Sequence, residues 1–215
     1  MDINFIKSTQ HCQRNWDTSR QIPQDHIDLL EAAARYCPSK QNYAFYNVKF
    51  ITNRELIEQI HDITNPGGNG GFGVLTDPTQ PVSPDNMTFY TNPQTLANLL
   101  VVFGYNVPYA KQESLKDRVG HFEYPFKRDA DMAIGIALGY LFFVANSLGY
   151  KTGGNACFDV DALRTLLIED SSYDPAVMIG IGYADDNRDP REHHTDLTFT
   201  FPAKPKEEIE MEYYT

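Results

Sequence analysis

Positive charge is scarce in this chain of 215 residues, which has 18 lysine and arginine residues against 29 aspartate and glutamate residues and a formal net charge of −11. Binding to a phosphate backbone requires many basic side chains on one face of a protein. The composition therefore argues against a nucleic acid as partner.

Cysteine is equally scarce, and Cys12, Cys37 and Cys157 stand in three separate sequence contexts. Their spacing fits neither a disulfide framework nor a zinc site. His193 and His194, with aspartates nearby, lack a known ligand spacing, so we predict a polar surface turn there and no metal. A basic leader followed by a short apolar run is also missing, and we expect a cytoplasmic protein.

Charged residues are absent between Met132 and Tyr150. This length is close to the roughly 20 residues of a membrane-spanning helix. However, Gly135, Gly139, Asn146 and Ser147 lie inside the segment, and no positive excess flanks it. A helix that is apolar on all sides is more typical of a soluble core or a subunit interface, so we expect no contact with a membrane.

Hydrophobic periodicity predicts helices and strands that alternate along the chain. Helices are predicted after Pro23, from Asp129 to Gly149, and after the capping residues Asn53 and Asp159. The predicted strands are Val48–Thr52, Leu99–Phe103, Val177–Tyr183 and Leu197–Phe201. Interleaved helices and strands favour one domain, residues 1–215, in which helices pack on a sheet.

Two segments show no periodicity. From Asn65 to Asn92 the chain is rich in Gly, Pro, Asp and Asn, which is unusually long for a loop in a compact domain and typical of lids and binding loops. The glycines in it lack the Lys and Ser or Thr of a phosphate-binding loop. The acidic tail from Pro202 to Thr215 is expected to lie over the surface or over a partner subunit.

The segment Gln10-His11-Cys12-Gln13-Arg14-Asn15-Trp16 precedes the first amphipathic helix. Taken alone, it also fits a solvated N-terminal segment with Trp16 in the core. It resembles the opening motif of the nitroreductase family, although Gln10 replaces an arginine and Cys12 replaces a serine. The resemblance implies that His11, Cys12 and Arg14 bind FMN. It also implies a catalytic role for the Arg14 guanidinium, which would stabilise negative charge on the reduced ring.

A second segment, Tyr36-Cys37-Pro38-Ser39-Lys40-Gln41-Asn42, resembles a Pro-Ser and Asn motif of the same family. In that family the motif serves the flavin and the wall of the active site, which implies flavin-binding roles for Ser39, Gln41 and Asn42. The Gln-Pro-Trp that commonly follows is replaced here by Ala44-Phe45-Tyr46, so Tyr46 is assigned to the substrate pocket.

A third segment, Leu148–Asp159, resembles the family's helix end and the loop that covers the flavin. Ala156 and Cys157 occupy the positions of a common Glu-Gly pair, and the Ala156 N–H is the implied catalytic donor to flavin N5. The residues assigned to the cofactor here are Asn155, Ala156 and Cys157. An alternative is a plain glycine-rich helix C-cap, which would by itself explain Gly153 and Gly154.

The segment Ile179–Tyr183 resembles a late strand of the family, after which a basic residue binds the flavin phosphate. We assign that role to Arg191, with Arg188 as the rival, and either could instead be a surface charge. Asn92 is assigned to the flavin N3 edge. Three aromatic residues before the long helix are either substrate-covering or core residues: Phe122, Tyr124 and Phe126.

The resemblance covers about Gln10 to Arg191 and implies an α+β fold of three layers, α-β-α, with a mixed, mainly antiparallel central sheet. It further implies a homodimer with FMN at the subunit interface, the 132–150 helix being buried between subunits. The implied activity is that of an NAD(P)H oxidoreductase, in which NADH or NADPH reduces FMN and a quinone or nitroaromatic acceptor then reoxidises it by a ping-pong mechanism. Two alternatives remain: flavin fragmentation or reductive dehalogenation in the same fold, and FMN binding without turnover.

Overall fold

The computed structural model describes residues 2–64, 72–106, 123–169 and 173–214, except for the side chains of Phe72, Pro84 and residues 123–126. The α-helices in these ranges are α1 (Ile3–Ser8), α2 (Gln24–Tyr36), α3 (Arg54–Asp62), α4 (Glu123–Ser147) and α5 (Val160–Leu166). Short 3-10 helices span Lys40–Asn42, Pro84–Asn86 and Pro93–Leu96.

The strands form two sheets. They are β1 (Tyr46–Ile51), β2 (Phe72–Leu75), β3 (Met87–Tyr90), β4 (Leu99–Tyr105), β5 (Lys151–Asn155) and β6 (Asp174–Gly182). The central sheet has the order β1-β4-β6-β5, and each described pairing in it is antiparallel. Strands β2 and β3 pair only with each other in the described part of the chain.

Helices cover both faces of the central sheet. Leu99, Val101 and Phe103 of β4 belong to a core cluster with residues of α2 and α4. Leu100 and Val102 point to the opposite face, into a cluster with residues of α3 and α5. Because side chains alternate across a strand, a strand buried on both sides reads as a continuous apolar run. The predicted three-layer α-β-α arrangement is confirmed.

Local sequence signals fixed several element ends as predicted. Helix α2 begins after Pro23 and ends before Pro38. The Asn53 side chain accepts a hydrogen bond from the Leu56 N–H at 3.1 Å, and Asp159 accepts one from the Ala162 N–H at 2.9 Å. These are the N-cap bonds that satisfy unpaired donors in the first turn of a helix.

One prediction about the middle of the chain is wrong, and one alternative is excluded. Strands β2 and β3 lie within the 65–92 segment for which no regular structure was predicted, whereas its glycine run at 65–71 lies outside the described residues. Strand β5 contains Gly153 and Gly154, which therefore do not form a helix C-cap. The residue with positive φ after α4 is Gly149, at +89°.

The predicted strand Leu197–Phe201 is also wrong. That segment makes one isolated bridge, between Thr200 and Glu192. Its apolar alternation has another cause, because Phe199 stacks on Tyr90 with ring centroids 3.5 Å apart. Phe201 is buried with 4% of its surface exposed.

Helix α4 is long and apolar enough over Lys127–Ser147 to cross a membrane by length and composition, and in the described residues it alone meets that test. One third of its apolar window is buried inside the chain. An apolar stripe along its outer face, the α4 stripe, remains exposed by 41–46%: Met132, Ile136, Tyr140 and Phe143. The C-terminal tail, residues 202–214, is exposed and has no regular secondary structure.

Candidate functional site

A cavity of about 760 Å³, the main cavity, lies where four distant segments of the chain meet. Its volume falls in the range of small-molecule sites. It brings together six of the residues assigned to the cofactor: His11, Cys12, Arg14, Asn92, Cys157 and Arg191. Other lining residues were not predicted: Gln10, Gln94, Asp189, Pro190, Phe201, Pro202, Ala203, Lys204 and Pro205.

Backbone hydrogen bonds fix the segment that contains Arg14 against β5 and against the turn at Pro190. The Gln13 N–H donates to the Thr152 carbonyl at 2.9 Å, and the Arg14 N–H donates to the Pro190 carbonyl at 3.0 Å. Trp16 is 3% exposed and donates its indole N–H to the Pro93 carbonyl at 2.8 Å. The segment is therefore an integral part of the wall and not a solvated arm.

The Arg14 guanidinium is half-buried at the cavity wall. Its Cζ lies 4.5 Å from the centroid of the Phe201 ring, and its Nη1 donates to the Cys12 carbonyl at 3.3 Å. Its Nε is buried without a hydrogen-bond partner. Burial lowers the pKa of Arg14 and Arg191 lowers it further, whereas Cys12 raises it. A cation desolvated in this way would be stabilised by an electron-rich ligand edge.

Gln94 also presents an unsatisfied group. This residue is 6% exposed, and its Oε1 is buried without a hydrogen-bond partner. Six buried side-chain polar atoms of the described residues are unpaired, and two of them belong to residues that line the main cavity. Because buried polar atoms are normally paired, both indicate a ligand that completes the site.

Asn92 is anchored by Thr64, a fully buried residue after α3. The Asn92 backbone N–H donates to Thr64 Oγ1 at 2.9 Å, and its side-chain Nδ2 lies 3.5 Å from the Thr64 carbonyl oxygen. Asn92 is therefore held in the cavity wall by Thr64, which does not line the cavity itself. The sequence did not indicate this contact.

The segment after β5 forms a tight Asx turn. Asn155 Oδ1 accepts a hydrogen bond from the Cys157 N–H at 2.9 Å, and Asn155 Nδ2 donates to the Cys157 carbonyl at 3.2 Å. Cys157 lines the main cavity, whereas Asn155 and Ala156 do not, although Ala156 is exposed beside it. The Cys157 N–H is thus already bonded within the turn, and the role of the Ala156 N–H as donor to flavin N5 stays a prediction.

Of the two candidate phosphate-binding arginines, the structure places Arg191 in the cavity wall. Its Nε and Nη2 donate to the Asp189 carboxylate at 3.0 and 2.6 Å. Arg188 instead donates to Glu192 at 3.0 Å and to the His193 carbonyl at 2.7 Å, and it does not line the cavity. Arg188 thus stabilises the turn that presents Arg191.

The prediction of a polar surface turn at His193 is wrong. His193 is 2% exposed, and its Nδ1 accepts the Asp196 N–H at 2.9 Å. Its ring lies nearly parallel to that of Phe201 with centroids 6.0 Å apart. Burial lowers the pKa of His193, which favours the neutral form that this acceptor role requires. No group of three His, Cys, Asp or Glu side chains within the described ranges could hold a metal ion.

The second motif lies elsewhere in the chain. Ser39, Asn42 and Tyr46 line a separate cavity of about 900 Å³ beside the end of α2 and β1, the second cavity, which shares no lining residue with the main cavity. Gln41 is exposed and has a positive φ of 55°. A single chain therefore does not bring these residues to Arg14.

The assigned substrate residues are only partly described. The Tyr46 hydroxyl donates to the Ala34 carbonyl at 2.7 Å, so it contributes to the second cavity and not to the main one. Phe122 lies outside the described residues, and the side chains of Tyr124 and Phe126 also lie outside them.

No family model matches this sequence, and no curated protein matches it. Solved structures do match its fold. A proposed nitroreductase from Exiguobacterium sibiricum in complex with FMN superposes with a TM-score of 0.63 at 16% identity, over 88% of this chain and 91% of that one.

Two further solved structures give the same result. A nitroreductase family protein from Clostridium novyi has a TM-score of 0.62 at 16% identity and covers 90% of this chain and 92% of its own. A proposed NAD(P)H:FMN oxidoreductase from Staphylococcus epidermidis has a TM-score of 0.62 at 16% identity, over 86% and 88% of the two chains. The resemblance seen in the sequence motifs is confirmed at the level of architecture: this chain has the nitroreductase fold.

Proposed function

We propose that the protein is a cytoplasmic, FMN-dependent oxidoreductase that takes electrons from NADH or NADPH and passes them to a quinone or nitroaromatic compound. The observation that carries this proposal is the main cavity. It unites residues from three of the four FMN-motif segments, together with Asn92, and two of its lining residues, Arg14 and Gln94, each carry a buried polar atom without a hydrogen-bond partner. The similar structures support the fold, and one of them contains FMN.

The residues present fit the parts of FMN. Arg191 and His11 line the main cavity and would bind the phosphate, Arg191 by sharing the charge that now pairs with Asp189. Arg14 would hold a fixed positive charge beside the ring edge that becomes negative on reduction. FMN, when bound, supplies reversible two-electron transfer to and from small aromatic molecules. Phe201 packs on the Arg14 guanidinium, with its ring centroid 4.5 Å from Cζ, and so supports its position.

We further propose a homodimer in which the second cavity of one subunit faces the main cavity of its partner. Two features support this arrangement. The residues of the second motif lie apart from the main cavity within one chain. The α4 stripe leaves apolar surface uncovered, and a contiguous exposed apolar surface commonly marks an interface. Ser39 and Asn42 would then contact FMN across the interface.

Absorbance spectra and FMN titration of the purified protein test the proposal. We expect bound flavin, micromolar or tighter affinity, and oxidation of NADH or NADPH with menadione or nitrofurazone as acceptor. Arg14→Met should weaken FMN binding by about 10- to 100-fold, since a charged hydrogen-bonding group is lost. Arg128→Met, which changes an exposed arginine on α4 outside the main cavity, should leave the affinity unchanged.

The outcomes separate the alternatives. Bound FMN without oxidation of either nucleotide would indicate a flavin-binding protein without turnover. Oxidation without reduction of the two acceptors would favour specialised flavin chemistry in the same fold. Failure of the wild-type protein to bind added FMN would overturn the proposal.

A further inference from the structure

We infer that the Gln94 side chain is a recognition residue for the N3–H of the flavin ring. This inference rests on the proposed function, and it gives the contact with N3 to Gln94 in place of Asn92, whose side-chain Nδ2 lies 3.5 Å from the Thr64 carbonyl oxygen. Gln94 lies two residues after Asn92, in the 3-10 helix Pro93–Leu96, and both residues line the main cavity.

The backbone around Gln94 is fixed by close packing on the central sheet. A Cβ atom on Gly153 would lie 2.9 Å from Cβ and Cγ of Gln94, and a Cβ on Gly180 would lie 1.9 Å from the Gln94 carbonyl oxygen. Only glycine at these two strand positions lets the 3-10 helix lie so near the sheet. The stem of Gln94 is thus held against β5 and β6.

Hydrogen bonds to the carbonyls of Asn92 and Pro93 also hold the start of this 3-10 helix. The Trp16 indole N–H donates to the Pro93 carbonyl at 2.8 Å, and the Thr95 hydroxyl donates to the Asn92 carbonyl at 2.9 Å. A side chain with a fixed stem loses little conformational entropy when a ligand binds. Gln94 is therefore preorganised to contact a ligand in the cavity.

The chemistry of the unpaired atom points to a donor on the ligand. Gln94 Oε1 is an acceptor that is buried, unpaired and carried by a residue of the cavity wall. The oxidised flavin ring has a single N–H, at N3, and its other polar edge atoms are acceptors. An N3–H at the Gln94 amide would satisfy Oε1, and a neighbouring ring carbonyl could accept from the same amide.

Competition between FMN and 3-methyl-FMN, which lacks the N3–H, tests this assignment. We expect the wild-type protein to bind FMN at least about tenfold more tightly than 3-methyl-FMN, the contribution of one buried hydrogen bond. Gln94→Met has a similar length and a flexible side chain. It should weaken FMN binding by about tenfold and bring the ratio of the two affinities close to one.

Gln13→Met is the matched control. Gln13 is likewise buried, at 5% exposure, but its Nε2 donates inside the protein to the Asn15 carbonyl at 2.7 Å, and it does not line the main cavity. This variant should lose stability while keeping the wild-type affinity ratio.

Three results would overturn the inference. They are equal wild-type affinity for the two flavins, an unchanged ratio in Gln94→Met, and, if that variant does not fold, an unchanged ratio in Gln94→Ala. Each of them presupposes a wild-type protein that binds FMN, whereas the proposed function fails only if the wild-type protein does not. A hydrogen bond from Gln94 to a ribityl hydroxyl instead of N3 would give the second result.

Discussion

Within the described residues, burial favours the neutral form of three histidines: His61 and His193, which are buried, and His194, which is half-buried. Burial lowers the pKa of His61 from 6.5 to about 4, although the Asp62 carboxylate raises it. Burial also lowers the pKa of His193 and of His194. His194 Nδ1 accepts the Trp16 N–H at 3.1 Å, so protonation there would place two donors face to face. None of these three lines the main cavity, but the His193 ring lies against the lining residue Phe201, so protonation of His193 would disturb the packing behind the cavity wall.

We predict that stability falls as the pH is lowered from 7.5 to 5. The histidines of the unfolded chain bind protons near pH 6.5, whereas those of the folded chain bind protons only at lower pH. Their contribution to the stability of the folded protein is therefore complete above pH 6.5 and decreases below it. For His61 alone, we expect the free energy of unfolding to be about 2 kcal/mol lower at pH 5 than at pH 7.5. Urea unfolding at several pH values measures it.

Two variants isolate the histidine contribution to this acid sensitivity. His61→Phe should show a smaller decrease in stability between pH 7.5 and 5 than the wild-type protein. His11→Gln, which changes an exposed histidine, should show the same decrease as the wild-type protein. If His61→Phe is as acid-sensitive as the wild-type protein, His61 is not a source of the effect.

At the level of elements, the packing of the 3-10 helix Pro93–Leu96 on β6 depends on Gly180. A Cβ there would lie 1.9 Å from a backbone oxygen, which cannot move without displacing the helix. We predict that Gly180→Ala destabilises the protein by about 3 kcal/mol or more, as measured by urea unfolding, and that it weakens FMN binding because Gln94 moves.

Gly154→Ala provides the comparison in the same sheet. Its added Cβ would lie 3.3 Å from the ring of Phe142, a side chain that can shift slightly. The expected change in the free energy of unfolding is below about 1 kcal/mol. Alanine loses less backbone conformational entropy on folding than glycine, and this gain offsets the mild crowding. Equal effects of the two substitutions would contradict the role given to Gly180.

These glycines also explain why one element could not be predicted. In the sequence Lys151-Thr152-Gly153-Gly154-Asn155, two adjacent glycines are typical of a turn or a helix end. They belong to a strand because the 3-10 helix Pro93–Leu96, some 60 residues earlier in the chain, packs against it. No local pattern contains that information.

At the level of the whole molecule, features with local causes could be read from the sequence and features with long-range causes could not. Asn53 and Asp159 cap their helices through partners three residues away. Family motifs led to Arg14, Asn92, Cys157 and Arg191 in one cavity. The sequence did not indicate Gln94. What marks this residue is that its Oε1 is buried without a hydrogen-bond partner, and this burial depends on segments far away in the sequence.

The proposed dimer can be tested on the α4 stripe. Replacing Ile136 and Phe143 together with lysine puts two charges on the apolar face, which would have to be desolvated in an interface. We predict a monomer by size-exclusion chromatography with light scattering. FMN affinity should fall at least about tenfold, because Ser39 and Asn42 of the second cavity would no longer complete the site.

Ile168→Lys is the control for this variant. Ile168 is 93% exposed and lies after α5, away from the α4 stripe. It should leave both the oligomeric state and the FMN affinity unchanged. A wild-type monomer that binds FMN tightly would contradict the arrangement of subunits.

The main cavity draws its wall from residues between Gln10 and Pro205, nearly the full span of the chain. Under the proposed function, one ligand would contact both the segment near Gln10 and the segment near Pro205. Free ligand at a hundredfold excess over its dissociation constant would add about 2.7 kcal/mol to the stability of the fold. Persistence of the folded protein against cellular proteases would then depend on the supply of the vitamin riboflavin, from which FMN is made.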